Sequence, residues 1–230
     1  MIIGNGLEIK VAGEACMADP SGALWLAPLR TLIVSDLHFE KGSSLARRGV
    51  MIPPYDTLAT LIRLKRVIDH YDPARVIALG DSFHDRDGAQ RLSASDHERL
   101  SDLQTGREWI WITGNHDRTP PQGLAGQSRD EFRLGALLLR HEPQQGVSPG
   151  EIAGHLHPVA RVVTPRGSLR RRCFVSDGAR CILPAFGAYA GGLNLRDQAF
   201  AGLFPDRSPQ AHVLGRDRIY SVAHEQCYAD

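Results

Sequence analysis

The sequence predicts an α/β protein built as a sandwich of mixed β-sheets, and three observations carry that expectation. The first half alternates short, apolar, β-branched runs with segments of helical periodicity. The second half is cut into short β-type runs by Gly, Pro, Asp and Ser, so the pattern is not that of a purely doubly wound sheet. No internal repeat, low-complexity tract or linker interrupts the chain, which predicts a single domain over residues 1–230.

The elements follow in order. RTLIVSD (30–36) is a short apolar run ending in Asp36 and reads as a buried strand. Residues 53–71 read as a helix, opened by prolines, with Leu58, Leu61, Ile62, Leu64 and Ile68 recurring mostly on one face. ARVIALGD (74–81) is a second strand ending in Gly-Asp. SASDHERLSDL (93–103) reads as a surface helix with a Ser or Asp cap. EWIWITGNHD (108–117), FRLGALLLRHEP (132–143) and EIAGHLHP (151–158) read as the third, fourth and fifth strands. Beyond them ARVV, RRCFVSD, ARCILPA, AHVLG and RIYSVA read as further short strands.

Composition narrows the class. With 42% hydrophobic and 23% charged residues, the chain can bury a core without staples. A formal net charge of +1 does not mark a general polyanion binder, and leaves local basic patches open. Cys16, Cys173, Cys181 and Cys227 are widely spaced with no CxxC pair, which argues against a zinc ribbon or a thioredoxin-type motif and for reduced thiols. MIIGNGLEIKVAG lacks a basic stretch followed by an apolar one, and no apolar run approaches about 18 residues. A cytoplasmic protein with no membrane contact is expected.

Each of the first five strands ends on metal-capable groups: Asp36 and His38, Asp81, Asn115 with His116 and Asp117, His141, and His155 with His157. Taken singly, each reads as a turn residue, a cap or a solvated imidazole. Taken together, at the carboxyl ends of strands where α/β sheets bind ligands, they point to one site. Extended-chain geometry predicts that His155 and His157, two positions apart, face one spot together. Imidazole and carboxylate ligands without thiolate suit Mn²⁺, Fe²⁺ and Zn²⁺. Two divalent ions need a shared anionic bridge, and Asp81, central in the set, is the natural one. With only Asp36 and Asp81 as carboxylates the site stays electropositive, which favours a phosphate oxyanion.

This order of motifs, D-x-H, G-D, G-N-H-D, H and G-H-x-H, resembles the calcineurin-like metallophosphoesterase superfamily. The resemblance implies an α-β-β-α sandwich. It implies that Asp36, His38, Asp81 and His157 hold a first metal, and Asp81, Asn115, His141 and His155 a second. His116 would be catalytic, donating a proton to the leaving oxygen or stabilising its charge. The metals are expected to be two Mn²⁺, with Fe²⁺, Zn²⁺ or Mg²⁺ as alternatives. Superfamily members often carry an acid three positions after the bridging Asp, to orient the histidine of G-N-H. Here His84 stands there with Asp85 next, so His84, Asp85 or Asp117 would take that part.

The likeness extends further. SDLHFEKG (35–42), GDSFHD, GNHD, RHEP, GHLHP and RCFVSDGARCILPAFGAYAGGLNL (172–195) resemble the ligase-associated DNA damage response endonuclease (PdeM-type) family. That implies a DNA phosphodiesterase, acting through a hydroxide held on two metals, on single-stranded or nicked DNA. An ATP-dependent DNA ligase and a helicase would be its pathway partners, and homo-oligomerisation is compatible with the sequence. Arg170–Arg172, Arg47, Arg48 and Arg118 read either as solvated surface charge or as guanidinium contacts to a strand backbone. FGAYAGGLNL (186–195) lacks the Lys-Ser/Thr of a P-loop, and reads as tight turns or as part of the mouth of the site.

Three rival readings remain. A phosphodiesterase or pyrophosphatase for a small nucleotide or lipid-linked substrate would use the same metals. A non-catalytic scaffold, as in the retromer small subunit, would have lost the histidine of G-N-H, whereas His116 is present. A Ser/Thr protein phosphatase would carry arginine-bearing signatures that GDSFHD and GNHDRT do not match.

Overall fold

The structure, a computed structural model, describes residues 5–116, 123–165 and 167–230. Strands β1 (Leu7–Val11), β2 (Glu14–Ala18), β3 (Leu24–Leu26), β4 (Thr31–Val34), β5 (Arg75–Leu79), β6 (Glu108–Ile112) and β7 (Gln127–Arg129) form one sheet in chain order. Pairing is antiparallel up to β4 and parallel from β4 to β7. The second sheet contains β8 (Glu131–Leu134), β9 (Leu137–Arg140), β10 (Glu151–Ala153), β11 (Val159–Thr164), β12 (Gly167–Ser176), β13 (Cys181–Ile182), β14 (Gln210–Leu214) and β15 (Ile219–Ala223). Its order is β15-β14-β12-β13-β10-β9-β8, with β11 paired to the outer part of β12, and β9, β10 and β13 run parallel. The helices are α1 (Lys41–Arg47), α2 (Asp56–Tyr71), α3 (Gly88–Arg91) and α4 (Ala94–Gln104).

Alternation along the strands explains the layers. Ile33, Ile77, Leu79, Ile110 and Ile112 point to the second sheet and pack with Leu137, Leu139, Ile152, Phe174 and Cys181. The intervening Leu32, Val34, Val76, Ala78, Trp109 and Trp111 point the other way, onto Leu61, Leu64, Val67 and Ile68 of α2 and Leu100 and Leu103 of α4. Parallel strands covered on both faces are apolar at every position, which is why β4, β5 and β6 read as continuous hydrophobic runs. Ser93 caps α4, its hydroxyl accepting from the Asp96 amide. The α/β sandwich of two mixed sheets is thus the fold observed.

Several local expectations change. Residues 132–143 are not one strand but the β8–β9 hairpin, turning at Gly135, whose φ is 61°. The run of apolar residues hid this turn, because only the glycine marks it. The helix expected from residue 53 starts at Asp56, with both prolines ahead of it. Residues 7–18, where the sequence suggested no element, form the β1–β2 hairpin. The outer face of the second sheet, with Cys173, Val175, Ile182, Ala211 and Val213, is covered by Leu195, Phe200 and Leu203. Among the described residues that cover is coil and a 3-10 turn, Gln198–Phe200, and not an α-helix. All four cysteines are free and buried, and burial raises the pKa of each thiol. Among the described residues no helix is long and apolar enough to cross a membrane.

Candidate metal centre

The parallel strands β4, β5 and β6 end at one edge of the first sheet, and β9 and β10 bring the second sheet to the same place. The ladders stop short of the polar residues: β4 ends at Val34, β5 at Leu79 and β10 at Ala153. Just beyond them Asp36, His38, Asp81, His155 and His157 all adopt left-handed backbone, with φ of 53°, 46°, 46°, 68° and 48°. Non-glycine residues rarely do so, and such strain concentrates at functional sites. This overturns the extended-chain picture of 155–157. The chain turns at each histidine, and the two side chains diverge to different clusters.

In the first cluster, Asp36 Oδ1 lies 3.1 Å from His157 Nε2, which lies 3.2 Å from His38 Nε2. In the second, His141 Nε2 lies 2.9 Å from Asn115 Oδ1, 3.1 Å from His155 Nδ1 and 3.5 Å from Asp81 Oδ2. The ligand atoms of Asp36, His38 and His157 lie within 4.8 Å of one another, as do those of Asp81, His141 and His155.

The surroundings aim these atoms. The His141 Nδ1 lies 2.9 Å from the Leu79 carbonyl, which can only accept, so Nδ1 keeps a proton in either charge state and Nε2 is the nitrogen that would face an ion once its own proton is lost. Ser35 Oγ donates to Asp36 Oδ2 at 2.5 Å, and the His155 amide donates to the same oxygen at 3.1 Å. The His116 amide donates to Asp81 Oδ1 at 3.0 Å. Among the described residues the buried Nδ1 of His38 has no hydrogen-bond partner. A pair of sites, each with a carboxylate and imidazoles converging, fits borderline divalent ions without thiolate.

The charges suit that use. Burial, the largest influence on Asp36, opposes its ionisation, but His157, His141 and His38 together hold its pKa below the usual carboxylate range. Asp81 is lowered likewise, against burial, by His141 and by the amide and ring of His116. Burial depresses His38 to about 3 and lowers His155, so both stay neutral, the form in which an imidazole can bind an ion. His141 moves the other way. Burial disfavours its charge, yet Asp81 and Asp36 raise it to about 9, so a proton there stands in for positive charge between the two carboxylates.

His116 sits at the opening, its Nε2 3.8 Å from Asp81 Oδ2 and its side chain 41% exposed. The His84 ring stacks on it, centroids 5.5 Å apart at 14°. Burial first, then the charges of Lys41 and His116, depress His84 to about 4. Asp85 is turned away, paired at 2.8 Å through both oxygens with Arg91. Of the three orienting candidates, then, His84 reaches the His116 ring and Asp85 does not. Asp117 and Arg118 lie outside the described residues.

The arginine run divides its tasks. Arg172 donates to the carbonyls of Ala185, Gly187, Ala188 and Ala190, shaping the glycine-rich segment. That segment reaches the site, where the Phe186 and Gly187 amides donate to the Ser35 and Asp36 carbonyls. Arg170 binds Asp230 and the Gly192 carbonyl. Arg171 is exposed, donates to the Arg170 carbonyl at 3.3 Å and, among the described residues, forms no ion pair. Sequence reasoning passed over Ser35, and it read Arg172 as surface charge or a contact to a nucleic-acid strand, whereas the structure spends that guanidinium on the carbonyls of the glycine-rich segment.

Residues 29–177 match the family model described as calcineurin-like phosphoesterase. Among solved structures, the nuclease MPE of Pseudomonas putida is 30% identical with a TM-score of 0.73, covering 95% of this chain and 100% of that one. Yfce, a phosphoesterase from E. coli, is 15% identical with a TM-score of 0.42, covering 84% and 98%. No curated protein matches the chain.

Proposed function

The chain belongs to the calcineurin-like phosphoesterase family and is a metal-dependent phosphoesterase, and from that premise we propose that it is a DNA phosphodiesterase, an endonuclease of ligase-associated repair. The observation that carries the chemistry is the convergence of two sets of carboxylate and imidazole donors, buried but for the half-buried His155 and His157, at one sheet edge. DNA as substrate is supported by the likeness, over 95% of the chain, to a nuclease. An ATP-dependent ligase and a helicase as pathway partners, a cytoplasmic setting and a single-domain chain of 230 residues belong to the same reading.

In this reading Asp36, His38, Asp81 and His157 hold one divalent ion, and Asp81, Asn115, His141 and His155 hold the other, with Mn²⁺ the favoured metal. Bound there, the ions supply Lewis acidity toward phosphoryl oxygens and a water that ionises near neutral pH. The protein's own part is to keep Asp36 and Asp81 ionised, and to keep His38 and His155 neutral. The Leu79 carbonyl fixes the His141 tautomer. His116, exposed at the opening and near Asp81, hands a proton to the leaving oxygen. The stacked His84 ring limits the directions in which His116 can turn.

Metal-stripped protein reloaded with Mn²⁺ tests this, with labelled single-stranded DNA and bis(p-nitrophenyl) phosphate run side by side. Both should be cleaved, Asp81→Asn should lose both activities, and His116→Ala should lose about 10²–10⁴-fold. Cleavage of the small ester alone would move the substrate to small nucleotides or other small diesters. Two bound metals with no turnover would favour a scaffold, and full turnover by His116→Ala would remove its assigned role.

A further inference from the structure

The two rims of the site carry opposite charge. On the His38 side, α1 follows the ligand turn directly, and the chain over 39–48 lies beside the loop that bears His84. The His84 amide donates to the Phe39 carbonyl, and Arg47 reaches Asp87 at 3.4 Å. Lys41, half-buried, donates to the Tyr189 carbonyl at 3.1 Å, and both Lys41 and Arg48 act on the His84 ring. Past Arg48 the chain shows its apolar side chains to solvent: Val50 is 50% exposed, Met51 82% and Tyr55 62%. On the other side, next to Asn115 and His141, lies a hollow of about 290 Å³ with Asp130, Glu131 and Glu142 in its lining. Arg140, the guanidinium in that lining, is neutralised by Glu131 at 2.7 Å and by Glu151 at 3.6 Å.

We propose that the α1 rim is the path of a single DNA strand, with Lys41 and Arg48 as phosphate-positioning residues and Met51 and Tyr55 as the surface for an unstacked base. The inference rests on the DNA reading above, in its single-stranded form, and adds to it the side of the site on which the strand lies. A phosphate chain gains from the basic rim and is repelled by the acidic hollow. Exposed Tyr and Met offer a base a flat apolar contact, and only a strand whose bases are free of a duplex can use it. A small diester spans neither rim, so its turnover is blind to both.

The Mn²⁺-loaded protein would be assayed on a thymidine oligonucleotide across a salt series and on bis(p-nitrophenyl) phosphate. Arg48→Ala should raise the oligonucleotide KM by about fivefold or more and lower the salt slope by about 0.7. Met51→Ser combined with Tyr55→Ser should raise that KM on the order of tenfold. Both should turn over the small ester as the parent does, which also shows that they fold. Glu142→Gln, on the opposite rim, should leave the oligonucleotide KM unchanged or lower it. Parental KM and salt slope in both rim variants would overturn the path, as would a Glu142→Gln loss equal to theirs. A parent protein that cleaves the ester but never the oligonucleotide would overturn the DNA reading itself, and the path with it.

Discussion

A Cβ placed on Gly154 would strike Ser35 Oγ and approach Asp36 Oδ2 to 2.5 Å. That one position therefore holds the second sheet against the carboxylate of the first. Gly154→Ala must push Asp36 aside or part the two chains. Overpacking of this kind costs about 1–3 kcal/mol. It should also weaken Mn²⁺ binding about 10–100-fold, the range for disturbed ligand support. Thermal melting and titration calorimetry read the two effects, and unaltered Mn²⁺ affinity would contradict the close-contact argument. That Asp36, His38, Asp81, Asn115, His141, His155 and His157 gather at one place was legible in the sequence, because each metal-capable group falls at a strand end. How they are aimed was not. Left-handed backbone at five of them, and contacts such as the His155 amide to Asp36 and the Leu79 carbonyl to His141, depend on partners more than 40 residues away or on turns that Asp and His do not announce.

At the scale of elements, β4, β5 and β6 were legible because both faces are buried and their apolar runs are unbroken. The β8–β9 hairpin was missed because four apolar residues follow its glycine as they would within one strand. The short β1 and β2 bury alternate residues only, a pattern too brief to stand out. β14, buried at every position after Gln210, shows what burial within a sheet does to a titratable group. His212 is paired in register with Phe174 and with Ser221, whose hydroxyl lies 2.9 Å from His212 Nδ1. Burial depresses its pKa to about 4. An unfolded histidine titrates near 6.5, so above that pH both states are neutral and the group has no effect. Between about 6.5 and 4 the unfolded chain takes up a proton that the fold refuses, and stability falls as pH falls. Unfolding in urea from pH 7 to pH 4 should show His212→Gln losing less stability than the parent, by on the order of 2 kcal/mol. Equal slopes would assign the acid sensitivity to other groups.

Across the whole molecule, the donors come from both layers: Asp36, His38, Asp81 and Asn115 follow strands of the first sheet, while His141, His155 and His157 follow strands of the second. Filling the centre therefore fastens one sheet to the other. At a metal concentration of about 100 times Kd, linkage adds roughly 2.7 kcal/mol to folding stability. For a chain of this size that corresponds to a rise in Tm of about 5–10 °C, reversed by chelator and blunted in Asp81→Asn. No shift on adding Mn²⁺ would mean that the two layers do not share a bound ion. The order of the motifs foretold this architecture. The coil cover of the second sheet and the charge difference between the rims were not legible, since both arise from which surface a loop happens to cross. The buried cysteines have a practical corollary. All four native thiols are sheltered, and burial holds each in its unreactive protonated form. A cysteine introduced by Met51→Cys would thus be the one that alkylating dyes and cross-linkers find first, giving a single attachment point on the intact native chain.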